Sequence, residues 1–158
     1  MTIRALDFGE GDKIPREYTC DGDRELSPAL EWADLPVGAK SLALVMDDPD
    51  IPDFVKDKLG VEKFDHWILY NIPPNIIGVS KGERVGLAGM NTAGDSKYTG
   101  PCPPDREHRY FFKFYALDTM LDRGPGATSF KLLQLMDGHI LAEAQLCARY
   151  ERAKNNYV

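Results

Sequence analysis

The longest apolar runs are short, dense in aliphatic and aromatic residues, and bounded by Pro or Gly: SLALVMDD at 41–48, HWILYNI at 66–72 and HRYFFKFYAL at 108–117. Runs of this kind predict β-strands, with TIRALDF and ALEWADL as weaker candidates. Near the C-terminus the pattern changes. Ser129 is placed to cap FKLLQLM, Gly138 interrupts, and HILAEAQLCARYER sets Ile140, Ala144 and Cys147 at helical spacing, so two consecutive helices are expected. Strands through the first three quarters and helices at the end predict a mainly β fold with C-terminal helices, built on an antiparallel sheet. The charges in DFVKDKLGVEKFD read as a solvated loop, and Trp32 and Trp67 as packing residues.

Strand parity places particular side chains together. Leu42, Leu44, Met46 and Asp48 share one side of the first strong strand. His66 falls with Ile68, Tyr70 and Ile72, and His108 with Tyr110, Phe112, Phe114 and Ala116. Asp48 ends its strand, whereas His66 and His108 begin theirs. If the first strand runs antiparallel to the other two, an Asp, two His and a Tyr converge along one edge of the sheet. The flanking loops, 47–54 and 98–110, are rich in proline, which fixes the backbone so that a cavity can persist.

Composition narrows the partners. The 14 Gly and 11 Pro fall between apolar runs as punctuation and no repeat is visible, so residues 1–158 read as one domain. With 19 basic against 25 acidic residues, the net charge of −6 argues against general nucleic-acid binding. No stretch approaches the roughly 20 apolar residues of a membrane span, and the start MTIRALDFGEGD lacks a signal-peptide pattern. Cys20, Cys102 and Cys147 are an odd number without a CxxC pair, so reduced thiols and a cytoplasmic location are expected. Cys20 reads as structural.

Several chemistries fit the convergent Asp and His residues. Two imidazoles with Asp48 and Asp50 could ligate zinc or iron, but no close His spacing supports a metal, and none is expected. No GxSxG elbow surrounds any of the five serines, and no Gly-rich phosphate loop occurs. A small pocket remains, in which imidazole N–H groups and the Tyr110 hydroxyl donate to an oxyanion. His139 and Glu143, four apart, read as a helix-surface pair.

The segments IPREYTCDGDRELSPALEW (14–32), DDPDIP (47–52), FDHWILYNIP (64–73), NTAGDSKYTGPCPPDREHRYFFKFYALD (91–118) and GHILAEAQLCARYER (138–152) together resemble the phosphatidylethanolamine-binding protein family, in its prokaryotic Raf-kinase-inhibitor-like branch. The resemblance implies a large antiparallel sheet packed with a smaller one, and an anion pocket formed by Asp48, Pro49, Asp50, His66, Pro104, His108 and Tyr110. It further implies a cis Ile51–Pro52 bond, a homodimer and no cofactor. The expected function is non-catalytic binding of a phosphate-containing or other small anion that modulates a partner kinase or protease. The alternative is a phosphoester hydrolase or lyase using the same Asp/His pocket.

Overall fold

A computed structural model describes residues 1–153 of the chain. Two antiparallel sheets carry it. Strands β1 (Thr2–Ala5), β2 (Leu30–Ala33) and β5 (Gly78–Val79) form the small sheet in the order β1-β2-β5. Strands β3 (Ser41–Asp48), β4 (Phe64–Ile72), β6 (Leu87–Ala88), β7 (His108–Leu117) and β8 (Ile140–Tyr150) form the large one in the order β6-β4-β3-β7-β8. The helices are α1 (Asp53–Leu59) and α2 (Ser129–Met136).

Every residue of β3 is buried because both of its faces are covered. Leu42, Leu44 and Met46 join the core between the sheets, where Trp32 stacks on Phe114 at 4.7 Å. Ala43 and Val45 face a second core made with Leu132 and Met136 of α2. Burying each large apolar side chain contributes roughly 1.5 to 3 kcal/mol, so these two layers hold the central strands in place. The charged segment after Pro52 forms α1, which buries none of its residues and ends at Gly60 in the left-handed conformation (φ 66°).

The C-terminal expectation needs two corrections. Helix α2 is capped by Thr128, whose side chain accepts from the Lys131 amide at 3.3 Å, while the Ser129 hydroxyl turns to Asp65 at 2.5 Å. The segment read as a second helix is the edge strand β8, paired with β7 along its length from Tyr150 opposite His108 to Ile140 opposite Leu117. Ala144, Leu146, Ala148 and Tyr150 alternate onto the inter-sheet core, a period of two that outweighs the coincidental helical spacing of Ile140, Ala144 and Cys147. His139 therefore has no helix partner in Glu143; its Nδ1 meets Asp118 at 2.8 Å.

Two β-bulges in β4 break the simple parity. Trp67 pairs with Met46 and Asp65 with Asp47, which leaves His66 as an extra residue between them. A second slip lies between Leu69 and Ile72, where Asn71 takes φ 51° and exchanges two side-chain hydrogen bonds with the Leu121 backbone. Consequently His66 and Ile72 do not share a face with Ile68 and Tyr70. Trp67, Leu69 and Ile72 belong to the inter-sheet core, and Ile68 and Tyr70 to the core under α2. A bulge re-aims a side chain in this way at the cost of one unpaired position.

Candidate functional site

Strand β3 runs antiparallel to both β4 and β7, so its C-terminal end lies beside the N-terminal ends of the other two. The Asp48, His66, His108 and Tyr110 side chains accordingly line one cavity of about 250 Å³. Pro104 lines it too, as do Arg24, Phe64, Thr99 and Cys102, which sequence parity could not place. Pro49 and Asp50 are not among the lining residues. The Asp50 carboxylate instead accepts from Arg109 Nε at 2.9 Å, Nη2 at 2.8 Å and the Arg109 amide at 2.8 Å. These hydrogen bonds, resisted by partial burial, hold its pKa down at about 2 and clamp the loop after β3 to the start of β7.

Asp48 is tied at both oxygens. Oδ1 accepts the Asp50 amide at 2.7 Å, a local turn that redirects the chain after β3, and Oδ2 meets His108 Nδ1 at 2.7 Å. That turn needs no unusual peptide: no cis bond occurs among the described residues, so the expected cis Ile51–Pro52 bond is corrected. His108 is fully buried, and its Nε2 meets Asp105 Oδ1 at 2.7 Å. An ionised carboxylate only accepts, so a carboxylate at each ring nitrogen favours the imidazolium, in which both nitrogens donate. Burial opposes that charge, but the Asp48 and Asp105 carboxylates outweigh it and the His108 pKa is raised.

His66 is the opposite case. Its Nδ1 donates to the Thr99 carbonyl at 2.6 Å, which assigns the proton to Nδ1 and leaves Nε2 without a partner among the described residues. Burial depresses its pKa more than the Thr99 bond and neighbouring carboxylates raise it. The ring stands edge-on to Tyr110, with centroids 5.3 Å apart. Tyr110 is fully buried and its hydroxyl has no hydrogen-bond partner among the described residues; burial, then the Asp48 charge, keep it protonated. A buried hydroxyl left unpaired costs about 1 to 3 kcal/mol, an unusual expense inside a well-packed core.

The cavity wall made by residues 98–102 is fixed closely. Gly100 donates to the Arg24 carbonyl at 2.7 Å, and a Cβ there would meet the Tyr18 carbonyl oxygen at 2.2 Å, so only glycine fits. Cys102 is bonded to Cys20, 82 residues away, in a disulfide with Cα atoms 5.3 Å apart. This overturns the expectation of three reduced thiols; Cys147 alone is free. Sequence spacing missed the pair because the two cysteines meet only through the packing of 98–102 against 18–24, where the Cys20 amide also donates to the Pro101 carbonyl at 3.0 Å. Among the described residues no group of three or more His, Cys, Asp or Glu side chains is arranged to hold a metal ion, and no helix is long and apolar enough to cross a membrane.

Comparison with known proteins agrees with this architecture. A UPF0098 protein of Methanothermobacter thermautotrophicus is 42% identical over 159 residues, covering 96% of this chain and 99% of the relative. The crystal structure of a phosphatidylethanolamine-binding protein homolog, CT736 of Chlamydia trachomatis, superimposes with a TM-score of 0.90 at 41% identity, covering 96% of this chain and 97% of that one. Escherichia coli YbcL, described as a member of the mammalian family, shares the fold with a TM-score of 0.83 at 24% identity over 96% of this chain and 98% of its own. The model of the phosphatidylethanolamine-binding protein family matches residues 5–151, and the chain belongs to that family.

Proposed function

We propose that the chain is a non-catalytic binding protein whose cavity accepts a phosphate-containing or other small anionic group, of the kind a phosphoethanolamine headgroup carries. The observation that carries this reading is the Tyr110 hydroxyl, a buried donor without a partner on the cavity wall, beside the unpartnered Nε2 of His66. An acceptor oxygen of a ligand satisfies the first; a proton, taken up by the ring as the anion binds, satisfies the second. Arg24 adds a positive charge to the same wall. The family's members named for phosphatidylethanolamine support the phosphoester assignment. At about 250 Å³ the cavity suits the head group of a ligand rather than a whole lipid.

Calorimetric titration with sulfate and with phosphoethanolamine tests the reading. Micromolar to millimolar binding that weakens about fivefold in Tyr110→Phe supports it, since a neutral hydrogen bond contributes about 1 kcal/mol. Affinity for neither ligand, or affinity indifferent to Tyr110→Phe and His66→Ala, overturns it. We further propose that the protein acts as a homodimer on a partner kinase or protease; light scattering and pull-down with the liganded protein test those two points.

One observation favours the enzymatic alternative. A neutral His66 and a cationic His108 line one cavity with their pKa values pushed apart, as in an acid–base pair. Both N–H groups of His108 are committed to carboxylates, which weighs against proton transfer from it. Turnover of a phosphomonoester or phosphodiester panel, abolished by His66→Ala, would establish the enzyme instead.

A further inference from the structure

We propose that Asp105 is a built-in competitor of the anion: its carboxylate holds the His108 N–H that a bound oxyanion needs, and ligand binding proceeds by exchange of one for the other. The inference rests on the anion reading of the cavity. Three features of the site lead to it.

The two carboxylates on His108 are held very differently. Asp48 is 3% exposed and its other oxygen is tied to the Asp50 amide at 2.7 Å, so it is part of the fold. Asp105 is 39% exposed, and its remaining charged neighbour is Arg106, with Nε 3.9 Å from Oδ2. Arg106 is itself 61% exposed, and the hydrogen bonds it donates to the Glu107 and Asp50 carbonyls, at 3.2 and 3.4 Å, lie at the surface. The Nε2 bond of His108 is therefore the replaceable one.

The backbone around Asp105 is also tied into no pairing of its own among the described residues. Among the described residues, 103–107 make no backbone–backbone hydrogen bond, whereas the flanking positions are anchored by the Cys20–Cys102 disulfide and by the first residue of β7. Release of Asp105 thus breaks no backbone pairing, and the side-chain bonds it disturbs lie at the surface. Finally, Asp105 does not itself line the cavity although His108 does, so its departure frees the Nε2–H of a ring that already forms part of the cavity wall. The same carboxylate, while seated, repels an approaching anion and, with Asp48 on the other ring nitrogen, holds the buried imidazole in place.

Sulfate titration of four proteins tests the exchange: the native chain, Asp105→Ala, Asp105→Asn, and Glu107→Gln as a control that removes the same charge from the same loop. The expected result is sulfate affinity about tenfold higher in Asp105→Ala, the scale of one charge-assisted hydrogen bond, an intermediate gain in Asp105→Asn, and a change under twofold in Glu107→Gln. In the native protein, saturating sulfate should also shift the Asp105 carboxyl carbon resonance, reporting its release from His108. Native binding that depends on Tyr110, with no gain in either Asp105 variant, overturns the exchange and leaves the anion site standing. An equal gain in Glu107→Gln overturns it as well, because general charge removal then suffices. Sulfate binding to none of the four overturns the exchange together with the anion site.

Discussion

Asp47 and Asp48 are neighbours at the end of β3, both buried, and they face opposite sides of the same sheet. Asp47 is gripped by two lysines, with Lys63 Nζ at 2.9 Å and Lys113 Nζ at 2.8 Å, and Lys63 also reaches Asp65 at 2.7 Å. Asp48 is gripped by an imidazole, next to a cavity and an unpartnered tyrosine hydroxyl. Although burial opposes its charge, the Asp65 and Asp47 carboxylates raise the Lys63 pKa above its ordinary value. The imidazole can be changed by pH, by a competing anion or by its second carboxylate. Each network leaves one buried polar atom unmet among the described residues, but in different places: on the Asp47 side it is Asp47 Oδ1 itself, whereas both Asp48 oxygens are taken and the unmet group on that side is the Tyr110 hydroxyl at the cavity.

The largest expected effect probes the pocket side, which carries a cross-link that the Asp47 side lacks. Reducing the Cys20–Cys102 bond, which closes a separation of 82 residues, should cost about 4.5 kcal/mol of stability by the loop-entropy relation. Denaturant melts with and without reductant measure it, and a difference under about 1 kcal/mol would show that the wall is held by packing alone.

Next comes the contrast itself. Asp47→Ala leaves two partly buried lysines without their shared carboxylate, so stability should fall by about 3 kcal/mol while sulfate affinity stays within about twofold. Asp48→Asn keeps the shape but removes half of the support for the His108 cation; affinity should drop about tenfold and, because this pair is the more deeply buried, stability should fall by a comparable amount. If both variants change stability and affinity alike, the two faces are not separate networks.

Tyr110→Phe sharpens the comparison from the other direction. Removing an unpartnered buried hydroxyl should leave stability unchanged or raise it by up to about 1 kcal/mol, even as anion affinity falls. A clear loss of stability would mean that the hydroxyl has a partner and the cavity no unmet donor.

The smallest effects are those of pH, and the two pocket histidines should oppose each other. His66, depressed below its unfolded value of 6.5, stays neutral in the fold, so its contribution is present above that pH and is lost as pH falls below it. His108, raised above 6.5, contributes fully below that value and loses its contribution as pH rises through its folded pKa. Melts from pH 5 to 9 should therefore flatten on the acid side in His66→Gln and on the alkaline side in His108→Gln. Sulfate affinity should rise toward acid pH, because the anion favours the protonated His66. Matching profiles for the two variants would contradict the opposed assignments.

Much of this protein was legible in local pattern. The β3, β4 and β7 strands were marked by apolar runs, and the end positions of Asp48, His66 and His108 follow from where those runs begin and stop. Tyr110 follows from the alternation in β7, and family membership from motifs spread along nearly the whole chain. Tertiary structure decided the rest, for reasons no local window contains. Ala144, Leu146, Ala148 and Tyr150 became a strand because β7 offers an open edge and the inter-sheet core takes their alternate side chains. The His66 ring reaches the cavity only because a bulge against Met46 and Asp47 inserts one residue, a register choice made by pairing. Cys20 and Cys102 meet because Gly100 lets one segment lie against the carbonyl of Tyr18. Asp105 gained its place on His108 in the same way: a carboxylate in a proline-rich loop acquires a role only when the end of β7 is held beside β3, and Asp48 has already claimed the other side of the ring.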